Sequence, residues 1–265
     1  PQFSNFGCGS CAAGNRFVLI DGIAGQAPRD PAALAQRLCA GPDAGSFRPD
    51  GLLLCLAGGD SADVRMVLYN ADGSRPEACG NGLRVIALLA AQKGYGQGEF
   101  LVGTDAGVRA VRVADGAVEV CLGPVRIEAA EQAIQVGSAE ICGTRVNVGN
   151  PHFVLFTEEP GAPTLEELGQ SLSTHESFPE GANVEFVTGA HQGALKVRIF
   201  ERGVGETLAC GTGAAAVAFV AVERGWAKWP VTVKLAGGEL VLDLGAGGVW
   251  LRGTTQILDS FRLPC

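Results

Sequence analysis

The chain has 265 residues, 47% of them hydrophobic, which is enough for one large domain or two small ones with a buried core. Its formal net charge is −8 and its lysines and arginines form no cluster, which argues against a nucleic-acid partner. No apolar run reaches the roughly 18 residues that a membrane span needs, and no signal peptide is apparent. We therefore expect a cytoplasmic protein with no membrane partner.

Runs rich in Val, Leu, Ile and Phe, bounded by Gly, Asp and Pro, predict strands along the whole chain. In the first half they are Arg16–Asp21, Gly51–Leu56, Val64–Tyr69, Phe100–Val102 and Gly107–Val113. In the second half they are Phe153–Phe156, Val184–Val187, Ala194–Phe200, Val231–Leu235, Glu239–Leu244 and Val249–Gly253. The Ala/Leu/Val-rich segments Leu83–Lys93 and Ala214–Arg224 predict helices that stop at a glycine. Since both helices are apolar on nearly all sides, they are expected to be buried.

An internal duplication relates the two halves. Cys79-Gly-Asn-Gly and Cys210-Gly-Thr-Gly lie 131 residues apart, and each opens one of the two predicted helices. The sequence thus predicts an α+β fold with two pseudo-symmetric halves, residues 1–117 and 118–255. Each half is expected to be a curved, mostly antiparallel, barrel-like sheet around a central buried helix, with the active site between the halves. The tail 256–265 has no counterpart in the first half and could return to it.

The two matched cysteines are candidates for acid/base chemistry. A thiol immediately before a helix meets free backbone N–H groups and the positive end of the helix dipole, which favours the thiolate that can accept a proton. The glycines that follow allow a ligand carboxylate to approach those N–H groups. One such motif would be weak evidence, because glycine-rich turns before helices are common. Two equivalent motifs predict one sulfur on each face of an α-carbon, which is what inversion of a stereocentre requires.

The remaining cysteines point to no metal site. The chain has nine: Cys8, Cys11, Cys39, Cys55, Cys79, Cys121, Cys142, Cys210 and Cys265. Cys8 and Cys11 have the spacing of a redox or zinc pair, but no second such pair accompanies them. We interpret most of the others as buried thiols, and we expect no metal and no cofactor.

Several motifs resemble those of the diaminopimelate epimerase family along nearly the whole chain. They are Gly14-Asn-Arg-Phe-Val18, Asp50-Gly-Leu-Leu53, Asn70-Ala-Asp-Gly-Ser74, Cys79-Gly-Asn-Gly82, Gly149-Asn-Pro-His152, Asn183-Val-Glu-Phe186 and Glu201-Arg-Gly-Val-Gly-Glu-Thr-Leu-Ala-Cys-Gly-Thr-Gly213. The last is the longest and the most specific. The resemblance implies an isomerase that converts LL-2,6-diaminopimelate to meso-diaminopimelate for lysine and peptidoglycan synthesis, without pyridoxal phosphate.

The resemblance also implies roles for individual residues. Cys79 and Cys210 would be the catalytic pair. Glu201 would help to hold the reacting amino group. The backbone N–H groups that would hold the reacting carboxylate belong to Gly80, Asn81, Gly211 and Thr212. The side chains that would read the rest of the substrate, including its distal end, are those of Asn15, Asn70, Asn150, Asn183 and Arg202. From the residues alone, turn formation is the better explanation of Asn70 and Asn150.

Some positions depart from the family pattern or have other interpretations. Arg16 stands where the family usually has Asp, Ala78 replaces Met, Leu83-Arg84-Val85 replaces Ala-Arg-Cys, and the loop 39–49 is unusual. Because of Arg16 and this loop, the sequence does not decide which amino acid fits the pocket. We interpret His152 and His175 as structural or cleft-lining residues, and His191 as exposed.

Three alternatives remain at this stage. The chain could racemise another amino acid such as histidine or proline, although Asn81 and Leu208-Ala209 differ from the proline racemase pattern. It could be a thiol redox or metal-binding protein, or a binding relative without activity, which would be expected to have lost one cysteine. The partner implied by the resemblance is a small amino-acid substrate. The sequence does not fix the oligomeric state, and a homodimer is one open alternative.

Overall fold

A computed structural model describes residues 6–12, 15–40, 49–76, 79–114, 116–157, 162–189 and 195–262. Among the positions discussed above, Gly14, Ala78, His191, Ala194, Cys265 and residues 41–48 of the unusual loop lie outside these ranges. The chain folds into two compact units. The first unit comprises Pro1–Val120 with Gly253–Cys265, and the second comprises Cys121–Arg252.

The first unit alternates strands with two helices. In chain order its elements are β1 (Phe6–Ala12), β2 (Asn15–Asp21), α1 (Pro31–Ala40), β3 (Gly51–Ala57), β4 (Val64–Asn70), α2 (Gly80–Lys93), β5 (Gly98–Thr104), β6 (Gly107–Ala114) and the start of β7 (Ala117–Gly123). β2 with β3 and β4 with β5 run parallel, with a helix in each connection. The pairs β1–β2, β3–β4 and β5–β6 run antiparallel.

The second unit repeats this arrangement. Its elements are β8 (Arg126–Val136), β9 (Ala139–Asn147), β10 (Pro151–Phe156), α3 (Ala162–Ser173), β11 (Asn183–Thr188), β12 (Leu195–Glu201), β13 (Gly205–Thr207), α4 (Gly211–Glu223), β14 (Val231–Leu235), β15 (Gly238–Gly245) and β16 (Gly248–Gly253). Here β10–β11 and β12–β14 are the parallel pairs, again with a helix in each connection. The pairs β9–β10, β11–β12 and β14–β15 run antiparallel.

The C-terminal strand β17 (Thr255–Arg262) completes the first unit by pairing antiparallel with β1. In the second unit, β8 pairs in the same way with β9. β17 therefore occupies the position in the first unit that β8 occupies in the second, although it comes from the other end of the chain. The duplication in the sequence is thus also a duplication of strand pairing.

Each unit surrounds one helix with strands. α2 contacts β1, β3, β4, β5, β6 and β17, and α4 contacts β9, β10, β11, β12, β14 and β15. Val85, Ile86 and Ala87 of α2 are fully buried, as are Ala214–Ala218 of α4. Both helices are therefore core elements, as their composition predicts.

The predicted elements are confirmed with small shifts at their ends. The two helices begin at Gly80 and Gly211, a little before the apolar segments that predicted them, and each cysteine directly precedes its helix as predicted. The predictions omitted α1, α3, β1, β7, β8, β9, β13 and β17. Among the described residues, no helix is long and apolar enough to cross a membrane.

Candidate active site

Cys79 is the N-cap residue of α2. Its backbone is extended, with φ −151° and ψ 112°, and its Sγ accepts a hydrogen bond from the backbone N–H of Gly82 at 3.4 Å. The first N–H groups of a helix have no partner within the helix, so the sulfur satisfies one of them. Apart from the chain neighbours of Gly80 and the backbone of α2, no described residue has an atom within 4 Å of a Cβ added to Gly80. The backbone at the start of α2 is therefore open to a ligand.

Cys210 is the N-cap residue of α4, with a similar extended backbone at φ −131° and ψ 120°. Cys210 is half-buried, and its Sγ lies 3.4 Å from the Thr212 Oγ1. Burial, followed by the negative charge of Glu201, raises the pKa of the Cys210 thiol to about 12. The thiol form is therefore favoured at Cys210 in the free protein.

The polar residues of the first unit collect at one end of three neighbouring strands. Asn15 starts β2, Asp50 precedes β3, and Asn70 ends β4 directly opposite Gly51. The Asp50 Oδ2 accepts a hydrogen bond from the backbone N–H of Arg16 at 2.7 Å and lies 3.4 Å from the Asn15 Nδ2. Arg16 itself is exposed.

Asn70 forms a turn, as the residues alone predict. Its backbone N–H donates to the Ser74 carbonyl at 2.8 Å, and its side-chain Nδ2 donates to the Ser74 Oγ at 2.9 Å. The hydrogen bond from the Asn70 side chain to Ser74 is therefore explained by a structural role in this turn.

Asn81 connects this strand end to α2. Its Nδ2 donates to the Asn15 Oδ1 at 2.6 Å, and its Oδ1 accepts from the Arg84 Nη2 at 2.9 Å. Arg84 is fully buried. The first unit thus brings together Asn15, Asn81 and, at the start of the same helix, Cys79.

The second unit has a matching strand end. Asn150 precedes β10, Asn183 starts β11, and Glu201 ends β12. The Asn183 Oδ1 accepts a hydrogen bond from the backbone N–H of Arg202 at 2.9 Å. The exposed Arg202 guanidinium donates to the Glu180 carbonyl oxygen. Asn150 and Glu201 thus lie at the places that Asn15 and Asn70 occupy in the first unit, whereas Asn183 has the register of Gly51, the residue after Asp50.

Glu201 interacts with both Cys210 and a hydroxyl donor. Its Oε1 accepts a hydrogen bond from the Thr207 Oγ1 at 2.5 Å. Burial raises the pKa of the Glu201 carboxyl group, while the Thr207 hydrogen bond opposes that rise. A cationic amino group beside Glu201 would stabilise its charged form.

A buried histidine and glutamate lie behind this second strand end. The His152 Nδ1 lies 2.7 Å from the Glu185 Oε1, and the His152 Nε2 lies 3.0 Å from the Asn150 Oδ1. A Cβ added to Gly213 would come within 2.7 Å of the Glu185 Oε1, so this carboxylate also lies close to the start of α4. These contacts agree with a structural or site-lining interpretation of His152.

His175 also has a local structural contact. Its Nδ1 accepts a hydrogen bond from the backbone N–H of Ser177 at 3.2 Å, which closes the turn after α3. The sequence motifs had indicated no separate role for Arg84 or Glu185. A charged residue inside an otherwise apolar helix or strand was the signal that could have identified both, because a buried charge needs a partner.

Comparison with known proteins identifies the family of this chain. The sequence profile of the family described as diaminopimelate epimerase matches residues 8–128 and 144–255. The diaminopimelate epimerase of Desulforudis audaxviator is 38% identical over 262 residues, which cover 92% of this chain and 93% of that protein. That of Sphingopyxis alaskensis is also 38% identical over 262 residues, covering 93% of each protein.

A solved structure supports the fold. A hydroxyproline epimerase from Agrobacterium vitis, with bound trans-4-OH-L-proline, superposes with a TM-score of 0.66 over 98% of this chain and 92% of that one, at 18% identity. This likeness shows a shared α+β fold. The profile match and the sequence identities show more: the chain belongs to the diaminopimelate epimerase family.

Proposed function

We propose that this chain epimerises LL-2,6-diaminopimelate to meso-diaminopimelate without a cofactor, with Cys79 and Cys210 as its two acid/base groups. The observation that carries the proposal is that both cysteines are N-cap residues of buried helices at equivalent places in two units of the same strand pairing. Membership of the family supports the choice of substrate. A cytoplasmic location, the exact boundary of the halves and a homodimer stay predictions from the sequence.

The chemistry begins with removal of the α-proton by one sulfur. Cys210 holds its proton in the free protein, because burial and the charge of Glu201 raise the pKa of its thiol. In this proposal Cys79 is the base in the first step, because its sulfur lies at the positive end of α2, where a negative charge is stabilised. The Cys210 thiol then donates a proton to the opposite face of the carbanion, which inverts the centre. In the reverse direction the two thiols exchange roles.

The backbone N–H groups at the two helix starts have a second task in this proposal. Those of Gly80, Asn81, Gly211 and Thr212 hold the carboxylate at the reacting centre and stabilise the negative charge that develops on it in the transition state. Glu201 accepts hydrogen bonds from the reacting amino group. The positive charge of that amino group would also offset the effect of Glu201 on Cys210, which makes proton donation easier once substrate is bound.

In this proposal the remainder of the substrate is bound by side chains at the ends of the strands described above. Asn15 and Asn70 belong to the first unit, and Asn150, Asn183 and Arg202 belong to the second. A guanidinium suits a distal carboxylate, because it can donate two parallel hydrogen bonds. In this proposal the Arg202 side chain leaves the Glu180 carbonyl oxygen to make that contact.

Turnover of LL-diaminopimelate, measured beside a panel of ordinary L-amino acids that includes histidine and proline, tests the substrate. We expect epimerisation of diaminopimelate alone. Activity on the panel without activity on diaminopimelate would favour a racemase for another amino acid.

Cys79→Ser and Cys210→Ser are each expected to reduce kcat by about 100-fold or more, since an alcohol is a far weaker acid than a thiol. The exposed Cys142 supplies the matched control: Cys142→Ser should retain full activity.

A further inference from the structure

The centre of the first unit contains a buried cation. The Arg84 side chain has no solvent-exposed surface, although its neighbours on α2 are apolar. Burial lowers the pKa of its guanidinium to about 10, and the charge of Cys79 opposes this change. At neutral pH the side chain is therefore still a cation. A buried charge is costly, so its retention in an apolar helix calls for a specific task.

The hydrogen bonds of Arg84 stay within the first unit. Its Nη2 donates to the Asn81 Oδ1 at 2.9 Å, and its Nε donates to the Thr255 Oγ1 at 3.3 Å. Among the described residues, its Nη1 has no hydrogen-bond partner. The hydrogen bond to Asn81, a residue that is only 5% exposed, is therefore the shorter of the two that Arg84 donates to described residues.

This contact fixes the orientation of two amide groups in series. A guanidinium can only donate, so Asn81 must turn its oxygen toward Arg84 and its NH₂ group toward Asn15. The Asn81 Nδ2 then donates to the Asn15 Oδ1 at 2.6 Å. Asn15 in turn must present its own NH₂ group on the other side, where one N–H points toward the Asp50 Oδ2 at 3.4 Å. Without Arg84, both amides could rotate by half a turn at little steric cost, because oxygen and NH₂ are nearly equal in size.

We propose that Arg84 is a positioning residue that, through Asn81, holds the NH₂ group of Asn15 away from Asn81, so that the N–H not directed at Asp50 is offered to a carboxylate of the substrate. The inference deepens the proposed function and rests on it. It explains why a donor-only side chain is buried behind a residue of the site. It also explains why Asn81 has nearly no exposed surface, since its side chain is used within the protein and only its backbone N–H is offered to substrate.

The inference predicts how substitutions combine. Arg84→Met is expected to raise the KM for diaminopimelate about tenfold, as expected for one misdirected hydrogen bond to a charged group, with a smaller change in kcat. Asn15→Ala is expected to raise KM at least as much. Because Arg84 acts through Asn15, the double variant should have the KM of Asn15→Ala alone. If the KM of the double variant instead rose by the product of the two single increases, the inference would be wrong.

Two further variants separate orientation from folding. Arg84→Lys keeps a buried donor-only cation and should restore most of the affinity that Arg84→Met loses. Arg224→Met removes an arginine that donates to the Thr144 Oγ1 and the Ala130 carbonyl at the far end of α4, and it should lower the thermal midpoint without changing KM. If Arg84→Met changed only the thermal midpoint, as this control does, Arg84 would be merely structural and the inference would be wrong.

The wild-type protein supplies a readout that needs no variant and no activity. In an NMR experiment that detects coupling across hydrogen bonds, the Asn81 Nδ2 should correlate with the Asn15 Cγ. A correlation in the opposite sense, from the Asn15 Nδ2 to the Asn81 Cγ, would overturn the inference even if Arg84→Met does not fold. Absence of diaminopimelate turnover in the wild type would instead defeat the proposed function, so the two failures are distinguishable.

Discussion

The His152 Nδ1 lies 2.7 Å from the Glu185 Oε1, and neither side chain is exposed to solvent. The Glu185 Oε2 has no hydrogen-bond partner among the described residues. The contact between His152 and the Oε1 is therefore the main interaction that offsets the cost of burying this carboxyl group. His152→Ala should therefore leave a buried carboxylate without its partner and lower the free energy of unfolding by about 3–5 kcal/mol. Chemical denaturation measures this loss.

Glu185→Gln supplies the control for charge. It keeps the shape of the side chain but removes the charge that needs compensation, so the loss should be smaller than in His152→Ala. Adding Glu185→Gln to His152→Ala should recover part of the stability, because the two residues are coupled. If His152→Ala lost less than about 1 kcal/mol, the pair would not contribute to stability as described.

The reactivity of Cys210 reports on its protonation. Since the pKa of its thiol is raised to about 12, only a small fraction is thiolate at pH 8. Iodoacetamide should therefore modify Cys210 at least roughly a hundredfold more slowly than the exposed Cys142 in the free protein. Mass spectrometry of peptides after timed alkylation gives both rates from one sample.

Glu201→Gln distinguishes the effect of the Glu201 charge on the reactivity of Cys210 from the effect of reagent access to its sulfur. It removes the negative charge that contributes to the raised pKa of Cys210, so that pKa should fall and alkylation at pH 8 should become faster. Cys142 should react at the wild-type rate in this variant. An unchanged rate at Cys210 would mean that access alone limits the reaction.

Gly80 and Gly213 differ in the space around them. Outside its own helix and chain neighbours, a Cβ at Gly80 meets no atom of a described residue within 4 Å, whereas a Cβ at Gly213 comes within 2.7 Å of the Glu185 Oε1 and 3.0 Å of the Ile199 Cδ1. Gly213→Ala should thus lose about 1–3 kcal/mol of stability through overpacking. Gly80→Ala should leave the thermal midpoint nearly unchanged but raise the KM for diaminopimelate about tenfold, because the added methyl group lies where the carboxylate is proposed to bind.

Thermal denaturation and steady-state kinetics on the two glycine variants check this contrast. A wild-type KM in Gly80→Ala would argue that the start of α2 does not face the substrate.

The sequence identified the strands whose side chains are buried. β3 is a nearly continuous apolar run, and the structure buries all of it except its last two residues. β11 is buried up to Val187, and its apolar Val184, Phe186 and Val187 identified it although Asn183 and Glu185 are polar. β8 was missed because its residues alternate between exposed and partly buried, and its composition is rich in Glu, Gln and Ala. Its pairing with β9 is what makes it a strand. The identity of β17 as the missing strand of the first unit depends on a contact between the two chain ends, which local patterns cannot supply.

The helix α1 carried a signal that could have been used. Asp30 precedes Pro31, and the Asp30 Oδ1 accepts a hydrogen bond from the backbone N–H of Ala33 at 3.0 Å. Asp at the N-cap followed by Pro at the first helical position is a common helix start. Buried Ala35 and Leu38 then form its inner face.

Within the site, the cysteine positions followed from the duplication, whereas the connections among side chains did not. The sequence places Asn15 and Asn81 at separate motifs, 66 residues apart. Only the pairing of β2, β3 and β4 and the burial of α2 bring them within hydrogen-bond distance. The same holds for His152 and Glu185, whose contact depends on the parallel register of β10 and β11.

Epimerisation in deuterium oxide tests the two-base mechanism most directly. The wild-type protein is given LL-diaminopimelate, and product and remaining substrate are separated after a few per cent of turnover. If Cys79 and Cys210 act on opposite faces, the product carries one deuterium at the inverted carbon from the first turnover, while the recovered substrate carries almost none. Product that retains the original proton would contradict the two-base mechanism, because a single group would then have removed and returned it.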